Sequence, residues 1–126
     1  MKPETTDWVE KAEGDWKVAL REAQAVEPVW DVICFLTQQC AEKYLKAFLE
    51  EQGIAFLKTH DLVVLLRAAR ELLPELAPER EQLAFLGAFG IAARYPGAEA
   101  DRRAAENALE TARKVRAAVR IKLGLS

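Results

Sequence analysis

The stretch PVWDVICFLTQQCAEKYLKAFLEEQG, Pro28 to Gly53, carries no proline or glycine between its two ends. Apolar residues recur in it at Val29, Ile33, Leu36, Cys40, Tyr44 and Ala47, the three-and-four spacing of one helix face. Proline suits a first turn and glycine a C-terminal cap, so the punctuation predicts a helix opened by Pro28 and ending near Gly53. At about seven turns this is a long helix, and a long helix with a continuous stripe needs partners to cover it.

The flanking sequence supplies them. Before it, Trp8, Ala12, Trp16, Ala19 and Ala23 form a second stripe, predicting a helix from about Thr6 to Val26 capped by Thr5 or Thr6, with Asp7 and Glu10 in its first turn. After it, Thr59 or Asp61 caps a third helix that Pro74 stops near Leu73. Pro78 opens a fourth toward Ala93, weakened by Gly87 and Gly90. Tyr95-Pro96-Gly97 breaks the chain, and a last helix runs from about Glu99 to Leu123 before Gly124. Its inward positions are Ala105, Ala108, Ala112, Val115 and Val119, small enough for a neighbour to approach closely. Its C-terminal half gathers Arg113, Lys114, Arg116, Arg120 and Lys122, where the helix dipole favours cations. Strand signals are nearly absent. The expected fold is all-α, an up-and-down bundle of four to five helices joined by short connections.

Composition agrees with one domain spanning residues 1–126. Half the residues are apolar and 30% are charged, enough for a core without disulfide or metal. The net charge of −2 builds in no global pull toward nucleic acid or membrane. Cys34 and Cys40, six apart, point to different sides of a helix and match neither a zinc site nor a redox pair. They read as small buried side chains in a reducing compartment. The opening residues, Met1 to Asp7, are polar and acidic, and no apolar run approaches a membrane span, so a cytoplasmic location is expected. No metal and no cofactor are expected.

Three groups of polar residues break the pattern. Asp15 lies on the edge of the inward face of the first helix, and Gln39 and Lys43 lie inside or beside the apolar sector of the second. Charges near a core are costly unless paired, and an Asp15–Lys43 or Glu42–Lys46 pair would meet that cost. Such residues also occur as half-exposed flanks whose stems cover apolar surface. The second group is Lys58-Thr59-His60-Asp61-Leu62, which holds the only histidine at a helix N-terminus. Free backbone N–H groups there suit an anion, while local capping explains the same residues without one. The third is Arg94-Tyr95-Pro96-Gly97: an arginine before a sharp turn can dock a phosphate bidentately or hold its own helix end.

Taken together these residues carry a resemblance. Cys34-Phe35, the run Gln38 to Ala47, Gly53, Lys58 to Leu62 and Arg94-Tyr95-Pro96 resemble the HEPN family, the higher eukaryotes and prokaryotes nucleotide-binding domain. The Trp8, Ala12, Asp15, Ala19 spacing is similar too, and the likeness runs from about Trp8 to Val119. It implies a helical bundle, commonly a homodimer, often encoded beside a minimal nucleotidyltransferase in two-component or toxin–antitoxin systems. Other members are metal-independent endoribonucleases with a histidine four to six residues after an arginine. There the histidine moves the proton of the RNA 2′-hydroxyl and the arginine holds the phosphate.

This sequence departs from that motif. No histidine follows Arg94 within seven residues, and no arginine stands within seven residues before His60. Leu36 stands where many relatives place a histidine after Cys-Phe. The expected function is therefore a non-catalytic HEPN subunit that partners a minimal nucleotidyltransferase and binds a nucleotide or another anion. Its candidate ligand-binding residues are Asp15, Gln39, Lys43, Lys46, Lys58, His60, Arg94 and Tyr95. The alternative is an endoribonuclease toxin with a divergent site built on Arg94 and His60. In that alternative RNA is the substrate.

Overall fold

The helix at the centre of the sequence is also the centre of the molecule. In the computed structural model, which describes all 126 residues, α2 (Trp30–Glu51) buries 13 of its 22 residues, on nearly every side of its axis. Along its middle only Val32, Phe35, Leu36, Gln39 and Lys43 reach solvent. Such a helix needs neighbours on three sides, and α1 (Pro3–Ala23), α4 (Arg80–Ala92) and α5 (Arg102–Lys122) provide them. The short α3 (Leu62–Ala69) and a 3₁₀ helix (Pro74–Glu79) close the gap between α2 and α4.

Side-chain pairings fix the directions. Lys2 meets Glu51, Asp15 meets Lys43 and Glu22 meets the Val29 amide, so α1 runs antiparallel to α2. Gly90 lies against Gln38 and Arg94 over Phe35, so α4 also opposes α2. Arg102 lies over Trp30 and Arg120 reaches Tyr44, so α5 runs with α2. The four long helices are thus up, down, up, down, as the sequence predicts. One core of 27 buried residues joins them. The inward alanines and valines expected on the last helix are all buried.

Several boundaries differ from the sequence reading, each for a physical reason. Helix α1 begins at Pro3, three residues early, with proline in its first turn and no side-chain cap. Thr5, expected as a cap, is instead fully buried and donates its hydroxyl to Glu51 at 2.9 Å. α1 ends at Ala23, leaving Val26 wholly exposed. Helix α2 starts at Trp30, and Val29 and Leu36 of its expected stripe are half-exposed rather than core. α3 stops at Ala69, because Leu73 and Leu76 must turn inward to bury. Pro78 therefore sits within the 3₁₀ helix and α4 starts at Arg80. The last helix starts at Arg102, capped by Asp101, because the Ala100 N–H is given to Asp31 at 2.6 Å. Asp61 caps α3 as expected, accepting from the amides of Val63 and Val64.

Gly90 has a packing role. A Cβ there would lie 2.6 Å from the Gln38 Cβ and 2.9 Å from the Cys34 carbonyl oxygen, both in α2. Only glycine lets α4 cross at that height. Gly14, inside α1, has no heavy atom near such a Cβ. Gly90→Ala is expected to lower the unfolding free energy by about 1–3 kcal/mol through overpacking, and Gly14→Ala to raise it by about 0.5–1 kcal/mol through helix propensity. Urea denaturation measures both; a Gly90→Ala protein as stable as the parent contradicts the packing.

Candidate functional site

At 100° per residue, Phe35, Gln38, Gln39, Glu42, Lys43 and Lys46 of α2 fall within one sector of about 140°. α1 walls it on one side and α3 with α4 on the other, which makes a polar track along the central helix. Its fixed point is Glu42, whose side chain is only 4% exposed. One carboxylate oxygen accepts from Gln38 Nε2 at 3.1 Å and contacts His60 Nδ1 at 2.8 Å. The other accepts from Lys46 Nζ at 2.8 Å. Gln38 also donates to the His60 carbonyl oxygen at 3.3 Å, and Gln39 donates to Gln38 at 2.6 Å. The Lys46 ammonium in turn lies 5.3 Å from the ring centre of Trp8.

These contacts decide the charge of Glu42. Burial alone would raise its pKa, but the hydrogen bonds from Lys46, His60 and Gln38 outweigh it and hold the carboxyl below its usual range. An ionised carboxylate only accepts, so the imidazole nitrogen facing it must donate. His60 therefore carries its proton on Nδ1, and in the neutral ring Nε2 presents a lone pair. The ring itself is 70% exposed, so that lone pair is turned to solvent.

Both pairings weighed from the sequence are present. Lys43 and Asp15 form an ion pair at 2.7 Å, with side chains 21% and 19% exposed. Lys46 and Glu42 form the other. Lys46, expected to contact a ligand, is buried and committed to Glu42 and Trp8, so it is a structural cation instead. Lys58 is exposed, without hydrogen bond or ion pair, two residues before His60.

Arg94 stands at the far end of the track. Its guanidinium carbon lies 4.6 Å from the Phe35 ring centre and 5.8 Å from that of Tyr95, which is itself 58% exposed. The stacking leaves the guanidinium edge without any hydrogen bond or ion pair. Phe35 precedes Glu42 by seven residues, so the anchors of Arg94 and His60 are about 10 Å apart along α2. His60 and, through Gln38, Gln39 thus join at Glu42, Asp15 and Lys43 pair with each other, and Arg94 and Tyr95 form a separate end.

A second polar cluster was not foreseen. Arg116 grips Glu13 with two hydrogen bonds of 2.7 and 2.8 Å, Tyr44 donates its hydroxyl to the same carboxylate, and Arg120 reaches the Tyr44 oxygen at 3.1 Å. The Arg116 guanidinium lowers the Glu13 pKa, and burial pushes the Tyr44 hydroxyl up. This knot ties α1, α2 and α5 together. Its only sequence signal is Glu13, wedged between the inward Ala12 and Trp16. The cysteines are buried and unpaired as expected, and burial pushes the Cys34 thiol up to about 11, far from a reactive thiolate. No group of three or more histidine, cysteine or acidic side chains stands close enough to hold a metal ion. A hollow of about 590 Å³ between the 3₁₀ helix, α4 and α5 touches none of the candidate residues.

The molecule is an all-α bundle whose central helix carries a part-buried, ion-paired polar track. The model of the HEPN domain matches residues 5–122, and the chain belongs to that family. No curated protein matches it. Among solved structures it is similar to the crystal structure of TT1696 from Thermus thermophilus, at 27% identity and a TM-score of 0.82. The likeness covers 96% of this chain and 99% of that one. No helix is long and apolar enough to cross a membrane.

Glu13 and Glu42 contribute to the acid side of the stability profile. Their folded pKa values lie below the ordinary 4.5, so the folded protein binds fewer protons than the unfolded chain in that range. Their contribution is complete above pH 4.5 and is lost as pH falls through the folded values. Urea unfolding across an acid series is expected to show stability falling below about pH 4.5, with a shallower fall in Glu13→Gln. An identical acid limb in that variant contradicts the assignment.

Proposed function

We propose that the chain is a non-catalytic HEPN subunit that partners a minimal nucleotidyltransferase and holds an anionic group, a nucleotide phosphate, on Arg94. The observation that carries this reading is the guanidinium stacked on Phe35 and Tyr95 with its edge unpaired. Stacking fixes the plane of an arginine while leaving its donors aimed outward, the arrangement that suits bidentate recognition of phosphate. Lys43 and Gln39 continue the polar track away from it. In this reading the protein is a cytoplasmic homodimer within a toxin–antitoxin-type pair.

The endoribonuclease reading asks Arg94 and His60 to act on one phosphodiester. A general base works within about 3 Å of the proton it takes, and the phosphate clamp must hold the same linkage. Anchors about 10 Å apart on α2 favour binding over cleavage.

Arg94→Glu is expected to weaken binding of ATP, used as the probe nucleotide, by at least about tenfold in titration calorimetry. Its helix content by circular dichroism stays that of the parent, because the side chain is exposed. Unaltered binding removes Arg94 from the site. Metal-free incubation with single-stranded and structured RNA is expected to leave both intact; cleavage that disappears in Arg94→Ala or His60→Ala moves the chain to the nuclease class.

A further inference from the structure

His60 is not used by the binding site on Arg94, yet it is built as a reactive group. Its Nδ1 is fixed on a carboxylate that is itself almost wholly covered and held by two further donors, Gln38 and Lys46. The main chain on either side of the ring is held as well, by Gln38 donating to the His60 carbonyl oxygen and by the Thr59 hydroxyl accepting from the Asp61 amide. The neighbouring charge of Asp61 is turned toward the start of α3, where one oxygen accepts from two amides. What remains is a single imidazole nitrogen, fixed in orientation and open to another molecule.

We propose that His60 is a phosphoryl acceptor, taking a phosphoryl group on Nε2 from an acyl phosphate. This goes beyond the nucleotide-binding reading and does not depend on it. Three observations support this chemistry. His60 projects from the surface beside a shallow, mainly apolar hollow formed by residues such as Leu62, Leu83 and Ile91, so it does not enclose a small substrate. Its reacting partner must come to it. The unpaired ammonium of Lys58, two residues before, is the cation available to an arriving phosphoryl group.

Glu42 supplies the third observation, because it fits the charge of the product. The Nε2 lone pair attacks phosphorus, an Nε2–P bond forms, and the P–O bond to the acyl group breaks. The carboxylate leaves with the bonding pair and no proton has to move. The ring then carries positive charge with its proton still on Nδ1, facing the Glu42 carboxylate at 2.8 Å. Glu42 is thus a positioning residue: it sets the tautomer and offsets the charge that transfer creates.

The test uses the full chain and acetyl phosphate as the probe. His60 is the only histidine, so an acid-labile, alkali-stable phosphate that is absent from His60→Ala belongs to it and not to a lysine. The parent is expected to acquire it, His60→Ala to acquire none, and Glu42→Gln to acquire it at least about tenfold more slowly. No incorporation in the parent, or an equal rate in a folded Glu42→Gln, overturns the proposal. Should Glu42→Gln fail to fold, nitrogen-15 spectra of the parent's histidine decide. In the neutral ring the Nδ1–H tautomer is expected, and the Nε2–H tautomer overturns the proposal.

Discussion

A carboxylate inside the central helix is the constraint on which the candidate site depends. Glu42 is buried because α2 is covered on nearly all sides, and a buried ion without partners would cost several kcal/mol. Its partners come from two directions. Lys46 and Gln38 are supplied by α2 itself, one turn on either side, and His60 by the segment leading to α3. The need to deliver His60 fixes where the chain between Gly53 and Leu62 passes, and so where α3 begins. Gly90 completes the arrangement, since its missing side chain lets α4 pack directly on Gln38.

The same constraint separates structural from available charge. Lys46 and Arg116 are spent on buried or half-buried carboxylates, and Trp8 and Trp16 lie beside them. Arg94 and Lys58 remain unpaired, and His60 offers one nitrogen. Membership of the HEPN family leaves the activity open, because function resides in the site and not in the fold. The anchors of Arg94 and His60, Phe35 and Glu42, stand about 10 Å apart along α2, and no histidine follows Arg94 within seven residues.

Much of the bundle was legible because helix periodicity is a local signal. The Glu42–Lys46 pair is four residues apart, and Asp15–Lys43 followed from asking which polar residues two apolar faces would trap. The Glu13–Arg116 pair spans 103 residues, and nothing near Arg116 distinguishes it from six other cations on the same helix. Tyr44 looked purely apolar because its ring does sit in the core while only its hydroxyl joins the cluster. The fourth helix was misplaced for a similar reason. Pro78 carries a strong helix-start signal, but burial of Leu73 and Leu76 holds that segment in a tighter 3₁₀ turn. The role of His60 depended on which carboxylate the fold would bring to it, and that is tertiary information.

The central claim is that Glu42 and Lys46 act as one buried unit, and a double-mutant cycle with Glu42→Gln and Lys46→Met tests it most directly. Removing one partner strands the other, so each single change is expected to cost about 3–5 kcal/mol of unfolding free energy. The double variant should cost less than their sum by about 1–3 kcal/mol. Additivity to within about 0.5 kcal/mol would contradict the account, since it would mean that the two charges do not depend on each other.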